Sequence, residues 1–213
     1  GFYLDIIKDR QYTMGTDSLP RRSAQTSLFH LAEALCRWIA PILSFTAEEL
    51  WENLPGPRPA SVFLAEWYEA LPDAKSDDTL DTAFWSEMMA VRQQVNKALE
   101  LAREQGALRG SLDADVSLYA DHELAERLRS LGEELRFVLI TSEATVASLD
   151  EAPAEAYEAE GMALRIVAVP STSEKCERCW HRRPDVGEHT AHPTLCGRCV
   201  TNIEGPGEVR HFA

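Results

Sequence analysis

Four thiols near the end of the chain commit most clearly to a chemistry. Cys176-Glu177-Arg178-Cys179-Trp180-His181 is followed by Cys196-Gly197-Arg198-Cys199, the two Cys-x-x-Cys pairs being separated by sixteen residues. Each Cys-x-x-Cys pair can curl into a knuckle with both sulfurs on one side of a tight turn. The segment between them then folds back, completing a tetrahedral four-thiolate cage with zinc-ribbon spacing. Such a soft, closed donor set suits one Zn²⁺. Four protein ligands leave no open coordination position, so the metal is expected to be structural. Gly197 is expected where a knuckle needs a permissive backbone. Both knuckles read Cys-x-Arg-Cys, which sets Arg178 and Arg198 in matching places. The competing reading is two disulfides in a secreted domain. Paired Cys-x-x-Cys spacing and the lack of a signal-peptide pattern argue against it.

Other chemistry is sparse. The sequence has no glycine-rich phosphate loop, no Gly-x-Ser-x-Gly and no His-Glu-x-x-His. Glu49 of the Glu48-Glu49 pair reads as the partner of Thr46 in a helix-capping box. Asp77-Asp78 and Glu133-Glu134 read as solvated faces or helix starts, and His30 as a packed or surface histidine. His181, His189 and His192 could each replace a cysteine at the metal, but four cysteines already fill it. Catalysis within this chain is not expected. The best contact surface is Trp180-His181-Arg182-Arg183, directly after the first knuckle. Arginine forks onto phosphate and stacks on bases, and tryptophan or histidine stacks on an unpaired base. The plainer alternatives are that Trp180 covers the metal site, and that Arg182 and Arg183 form a solvated turn before Pro184.

The bulk composition sets limits. At 213 residues, 45% apolar and 26% charged, the chain is of ordinary globular make-up, enough for one large or two modest domains. No run reaches membrane-span length. Five cysteines, four grouped for metal, fit a reducing compartment, and a cytoplasmic monomer is expected; Cys36 reads as a small core residue. A net charge of −14 opposes a general affinity for polyanions. The charge is uneven, however. Residues 1–106 carry ten Lys/Arg and sixteen Asp/Glu, and residues 107–170 carry five and thirteen. Residues 171–213 carry six of each, with four of the six histidines. Four bound thiolates and Zn²⁺ would add about two negative charges to this neutral module, so any nucleic-acid contact must be local.

These residues have to be positioned by the elements before them. Tyr3, Ile6 and Ile7 share a helical face. A long helix is predicted from about Arg21, with Leu28, Leu31, Leu35, Ile39, Ile42 and Leu43 as its apolar stripe and Pro41 as its break. The capping box restarts a short helix that stops at Pro55-Gly56-Pro57. Residues 58–77 read as an ordered connector. A third helix is predicted from Asp78-Thr79, carrying Phe84, Met88, Val91, Val95, Leu99 and Ala102 and closed by Gly106. Residues 1–106 are thus expected to be an antiparallel helical bundle. The period then changes. Val116, Leu118 and Ala120 alternate as a half-buried strand does, and Leu124, Leu128 and Leu131 return to helical spacing. Leu135–Ile140, Val146–Leu149 and Leu164–Val169 read as strands, with 151–160 as an exposed loop. Residues 107–170 are expected to form a small α+β unit. Pro170-Ser171-Thr172-Ser173 links it to a zinc-binding module over 171–213.

Taken together, the chain resembles the C-terminal part of a bacterial isoleucyl-tRNA synthetase. The likeness rests on Asp5-Ile6-Ile7-Lys8-Asp9-Arg10, on Ala40 through Trp51, on Gly110-Ser111-Leu112-Asp113-Ala114, and on the run from Cys176 to Cys199 with Asn202-Ile203, Gly207-Glu208 and His211-Phe212-Ala213 after it. The resemblance implies a mainly α fold: an anticodon-binding helical domain of class I synthetases, followed by the α+β unit and the four-cysteine, zinc-ribbon-like module. It implies that the helices bind the anticodon stem-loop of tRNA(Ile) while the zinc module closes over its end. Arg178, Trp180, His181, Arg182, Arg183 and Arg198 would be the contacts. It further implies an ATP-dependent ligase whose adenylating and editing domains lie outside this chain and would be its other partners. Two alternatives remain. The tail is also similar to the zinc finger of formamidopyrimidine-type DNA glycosylases, although helices and an acidic body disagree with that. The other is a zinc-stapled protein-interaction domain.

Overall fold

The computed structural model describes residues 1–71 and 80–213. Pro72, Asp77-Asp78 and the expected helix start at Thr79 lie outside them. Two short helices, α1 (Phe2–Ile6) and α2 (Lys8–Thr13), lead into α3 (Leu19–Ile39) and α4 (Ser44–Asn53). Pro41 falls in the break between α3 and α4. α4 begins before Thr46, so the expected capping box does not form; Leu43 is the N-cap residue. Glu48 instead accepts hydrogen bonds from the Ser61 hydroxyl and the Val62 N–H, both at 3.0 Å. It thereby ties the following turn to α4.

α5 (Thr82–Glu104) starts at Asp81, whose carboxylate caps the Phe84 N–H at 2.8 Å. All six of its expected apolar positions, Phe84 through Ala102, are buried. Gly106, at φ 76, ends the helix in the left-handed region that suits glycine.

A mixed four-stranded sheet follows, in the order β2 (Glu143–Ser148), β1 (Ala114–Ala120), β4 (Leu164–Pro170), β3 (Tyr157–Glu158). β1 runs parallel to β2 and antiparallel to β4. In β1, Ala114, Val116, Leu118 and Ala120 face the core in strict alternation. The parallel pair needs a crossover, supplied by α6 (His122–Arg129) and α7 (Leu135–Leu139).

α7 corrects the expectation of a strand over Leu135–Ile140. The run is buried on all sides, and a short continuous apolar run has no period to separate strand from helix. Within 151–160, expected as loop, Tyr157–Glu158 forms β3 on the edge of the sheet. The linker after β4 is also tied down, because Ser171 is buried and donates its N–H to the Asp113 carbonyl at 2.8 Å.

One core joins Ile6 and Ile7, Ala24 of α3, the buried stripe of α5, α7, β1 and β4. α5 therefore packs on the sheet, and the packing does not divide at residue 106. A second, smaller core holds Cys36, Ala40, Ala47, Trp51 and Val62. The α3 stripe read from the sequence behaves differently. Leu31, Leu35, Ile42 and Leu43 are exposed, and α3 buries Ala24, Ala34 and Cys36 instead.

The last helix, α8 (Gly197–Glu204), grows out of the second knuckle, and the tail beyond it returns to the body. There Glu134 accepts three backbone N–H bonds, from His211, Phe212 and Ala213, at 2.6, 2.8 and 2.8 Å. Burial alone would raise the Glu134 pKa; those three donors outweigh it and hold the carboxyl below its ordinary value.

Candidate functional site

The cage forms as its spacing requires. All five cysteines are free thiols, and Cys176, Cys179, Cys196 and Cys199 are buried with their sulfurs within 4.8 Å of one another. Zn–S bonds of about 2.3 Å in a tetrahedron imply sulfur–sulfur edges of about 3.8 Å. Cys179 Sγ and Cys196 Sγ lie 3.8 Å apart. Crowding splits the thiols in the absence of a cation. Hydrogen bonds from Cys196 and Cys199 push Cys179 toward thiolate, and for the same reason Cys196 and Cys199 hold their protons more tightly. A dication at the centre removes the conflict by letting all four ionise. The residues fit one structural zinc.

Local turns place the ligands. In the first knuckle the Trp180 N–H reaches the Cys176 carbonyl and the Cys176 N–H reaches the His181 carbonyl, both at 2.9 Å. In the second, Gly197 does not supply the permissive backbone expected of it. Its φ is not positive; a Cβ there would sit 2.9 Å from Asp185 Oδ2, which accepts the Gly197 N–H.

The matching arginines of the two knuckles clamp the module to α2. Arg178 Nη2 donates to the Thr13 carbonyl at 3.2 Å. Arg198 makes a two-pronged contact with Asp9, at 2.8 Å to each oxygen, and pairs with Glu208 at 3.0 Å. Arg210 from the tail reaches the same Asp9 at 2.9 Å. Burial would raise the Asp9 pKa, but Arg198 and Arg210 hold it down to about 2. Arg198 and Arg210 also lie over the face of Phe137, at 5.0 and 3.4 Å. Asp9 is thus the point at which α2, the second knuckle and the tail meet.

Between α2 and the first knuckle lies a largely apolar cavity of about 560 Å³, within the ~300–1,000 Å³ range of small-molecule sites. Lys8 and Tyr12 stand on one side, Arg178 and Trp180 on the other, with Phe137 and Ile140 between. Trp180 is 60% exposed, and Tyr12 is also exposed. Among the described residues, only Trp180 (φ 66) and Ile140 (φ 59) are non-glycine residues with positive φ, and both line this cavity. A non-glycine residue in that region costs on the order of 1–3 kcal/mol and tends to mark a functional position.

The six contact candidates therefore separate. Trp180 and Arg178 reach the surface at the mouth of the cavity. His181 is buried in its wall, its ring edge-on to Phe137 at 5.4 Å, which leaves no open face for stacking. Its Nε2 has no hydrogen-bond partner among the described residues. Arg182 is engaged with Asp113 at 2.8 Å and Arg183 with Glu143 at 2.7 Å, so both tie the module to the α+β unit rather than forming a free turn. Arg198 is inside, with its guanidinium occupied by Asp9 and Glu208. Neither His189 nor His192 joins the sulfur cage. The sequence reading missed Lys8, Tyr12, Phe137 and Ile140. The available signal was faint: Lys8 and Tyr12 stand one helical turn apart and point away from Ile6 and Ile7.

Residues 1–118 match the family described as "Anticodon-binding domain of tRNA ligase", and residues 173–202 match "Zinc finger found in FPG and IleRS". Over all 213 residues the chain is 60% identical to isoleucine–tRNA ligase of Pseudomonas aeruginosa and 58% identical to that of Stutzerimonas stutzeri. It is 57% identical over 212 residues to that of a Shewanella species. The chain spans 23% of the length of each of these relatives. The zinc-finger family is shared by two kinds of protein; the full-length identity lies with the ligases.

Proposed function

The chain belongs to the anticodon-binding domain family of tRNA ligases, and from that premise we propose that it holds the anticodon end of a tRNA, with the mouth of the zinc-module cavity as the contact. The relatives' names point to the tRNA for isoleucine. ATP-dependent attachment of isoleucine would belong to the longer polypeptide. Its adenylating and editing domains, together with the tRNA, would be the partners of this chain. We take the compartment to be the cytoplasm, where free thiols persist, and the chain itself to be a monomer.

Trp180 carries the reading. It occupies a left-handed position that glycine would fill without strain, yet its large ring stays exposed beside a cavity. An unpaired base from a splayed loop can stack on such a ring. Lys8 and Arg178 stand at the same mouth to meet phosphate. These cations are local, which suits an acidic chain: the grip is a patch, not a field. Arg182, Arg183 and Arg198 support it by holding the module in place. The zinc supplies shape and no chemistry.

Trp180→Gly separates this reading from a tryptophan that merely covers the metal. Base stacking contributes about 1–3 kcal/mol per base, so the affinity for an anticodon stem-loop should fall roughly 5- to 150-fold. Zinc content should hold, and thermal stability should hold or rise because the backbone strain is relieved. A drop in stability and zinc retention with RNA affinity unchanged would return Trp180 to a packing role and favour a protein-interaction domain.

A further inference from the structure

Arg136 of α7 is only 6% exposed, and its Nε and Nη1 have no hydrogen-bond partner among the described residues. Burial is the main cause that pushes its pKa down to about 10, with Arg183 and Arg198 adding to it. At neutral pH the guanidinium still carries its charge. The carboxylates whose fields favour that charge are Asp9 and Glu143. Asp9 is held by Arg198 and Arg210, and Glu143 by Arg183, so neither is free to pair with it. A guanidinium this deeply buried is ordinarily paired. Arg136 therefore calls for a counter-charge from elsewhere.

The residue lines a cavity of about 360 Å³ between α7, the turn that precedes it and the tail. Arg210 lines the same cavity, and its Nη2 also lacks a hydrogen-bond partner among the described residues. Both guanidinium groups lie against the Phe137 ring, at 4.2 and 3.4 Å from its centre. Two carboxylates of the lining are already spent. Glu134 accepts the three tail N–H groups, and Glu208 takes Arg198 and Arg210. The third, Glu133, is exposed. A planar guanidinium forks onto two oxygens of a phosphate, whereas a halide has no second atom for the fork.

We propose that the cavity between α7 and the tail is an oxyanion site, in which Arg136, with Arg210 beside it, takes a phosphate group, either inorganic phosphate or a phosphate of bound RNA. An anion shared by the two arginines would tie the tail to α7. The proposal rests on the unpaired guanidinium and not on the tRNA-contact reading, which stands on Trp180 and the other cavity.

The probe is inorganic phosphate, titrated into the zinc-loaded 213-residue chain at fixed ionic strength with chloride as the balancing anion. Phosphate should bind saturably at one site, and amide exchange across residues 208–212 should slow by about threefold or more as it does. Arg136→Gln keeps a polar side chain and drops the charge. It should weaken phosphate binding about tenfold or more, with zinc content unchanged and stability in phosphate-free buffer held or raised. An anticodon stem-loop then identifies the source. If it displaces phosphate, and Arg136→Gln lowers the slope of log affinity against log salt by about one, the group taken is an RNA phosphate. If phosphate and stem-loop bind side by side, it is a free anion. Either result supports the site. No saturable phosphate binding, together with a salt slope that Arg136→Gln leaves unaltered, would overturn it. So would a variant that loses zinc while phosphate binding stays intact, which would make the thiolate cage the counter-charge. Trp180→Gly should leave phosphate binding unchanged, so this proposal and the tRNA-contact reading fail separately.

Discussion

Removing the metal is expected to melt the module over residues 171–213 while the sheet and α5 stay folded. The cysteine cluster touches little besides Val186 and Leu195, so the sulfurs are the centre of its packing. Structural zinc in small modules contributes on the order of 10–16 kcal/mol, far more than so small an apolar core can replace. Without it the buried thiols must share protons, and Cys179 is left with charge that Cys196 and Cys199 resist. Treatment with a strong chelator, or Cys196→Ala, should release one zinc per chain and expose the module's amides. Protection should persist in β1 and β4, whose core is separate from the cysteine cluster although it takes in Phe212 and Ala213 of the tail. The wall of the cavity formed by Arg178 through His181 would go with the module, so RNA binding should be lost in step with the metal. A chain that binds no zinc and keeps these amides protected would contradict the assignment.

Asp9→Asn is expected to be the most damaging single change outside the cage. The substitution takes away one of the two carboxylates that Arg198 and Arg210 share in a buried site, leaving Glu208 to face both guanidinium groups. Breaking a buried pair from one side typically costs about 3–5 kcal/mol, because the remaining charge stays desolvated. The urea midpoint should fall accordingly, with zinc still bound. Lys8→Ala, next in sequence, should change little, because its pair with Asp5 is exposed. The same group predicts an acid limb. The folded-state pKa of Asp9, about 2, lies below the ordinary value of 3.8. The unfolded chain therefore binds the proton first as pH falls. The contribution, on the order of 2 kcal/mol, is fully present above about pH 4 and is lost progressively toward pH 2. Asp9→Asn should remove that limb.

The sequence was most informative where a period or a spacing was complete. The cage was legible because four ligands carry their geometry in their spacing. The stripe of α5 was legible because all six positions face one core. β1 was legible because its alternation is strict. The α3 stripe was equally regular, but regularity reports an apolar face and not what covers it. α7 was lost because Leu135–Leu139 is buried on every side, which erases the period. The roles of the arginines were illegible for a different reason. Arg178 and Arg198 occupy equivalent knuckle positions, yet one reaches the surface and the other closes on Asp9, 189 residues away in sequence. Nothing local distinguishes them. Trp180 was visible as an aromatic in a basic run, but only its positive φ shows what the chain gives up to keep it there.

The most direct measurement is a titration of the zinc-loaded chain, at low and fixed salt, with two anticodon stem-loops. One carries the isoleucine anticodon, and the other has the same stem with the anticodon bases exchanged. The cavity beside Trp180 predicts tighter binding of the first by about 1–3 kcal/mol for each base it reads, with the difference vanishing in Trp180→Gly. Equal affinity for both loops, unaltered by that substitution, would contradict it.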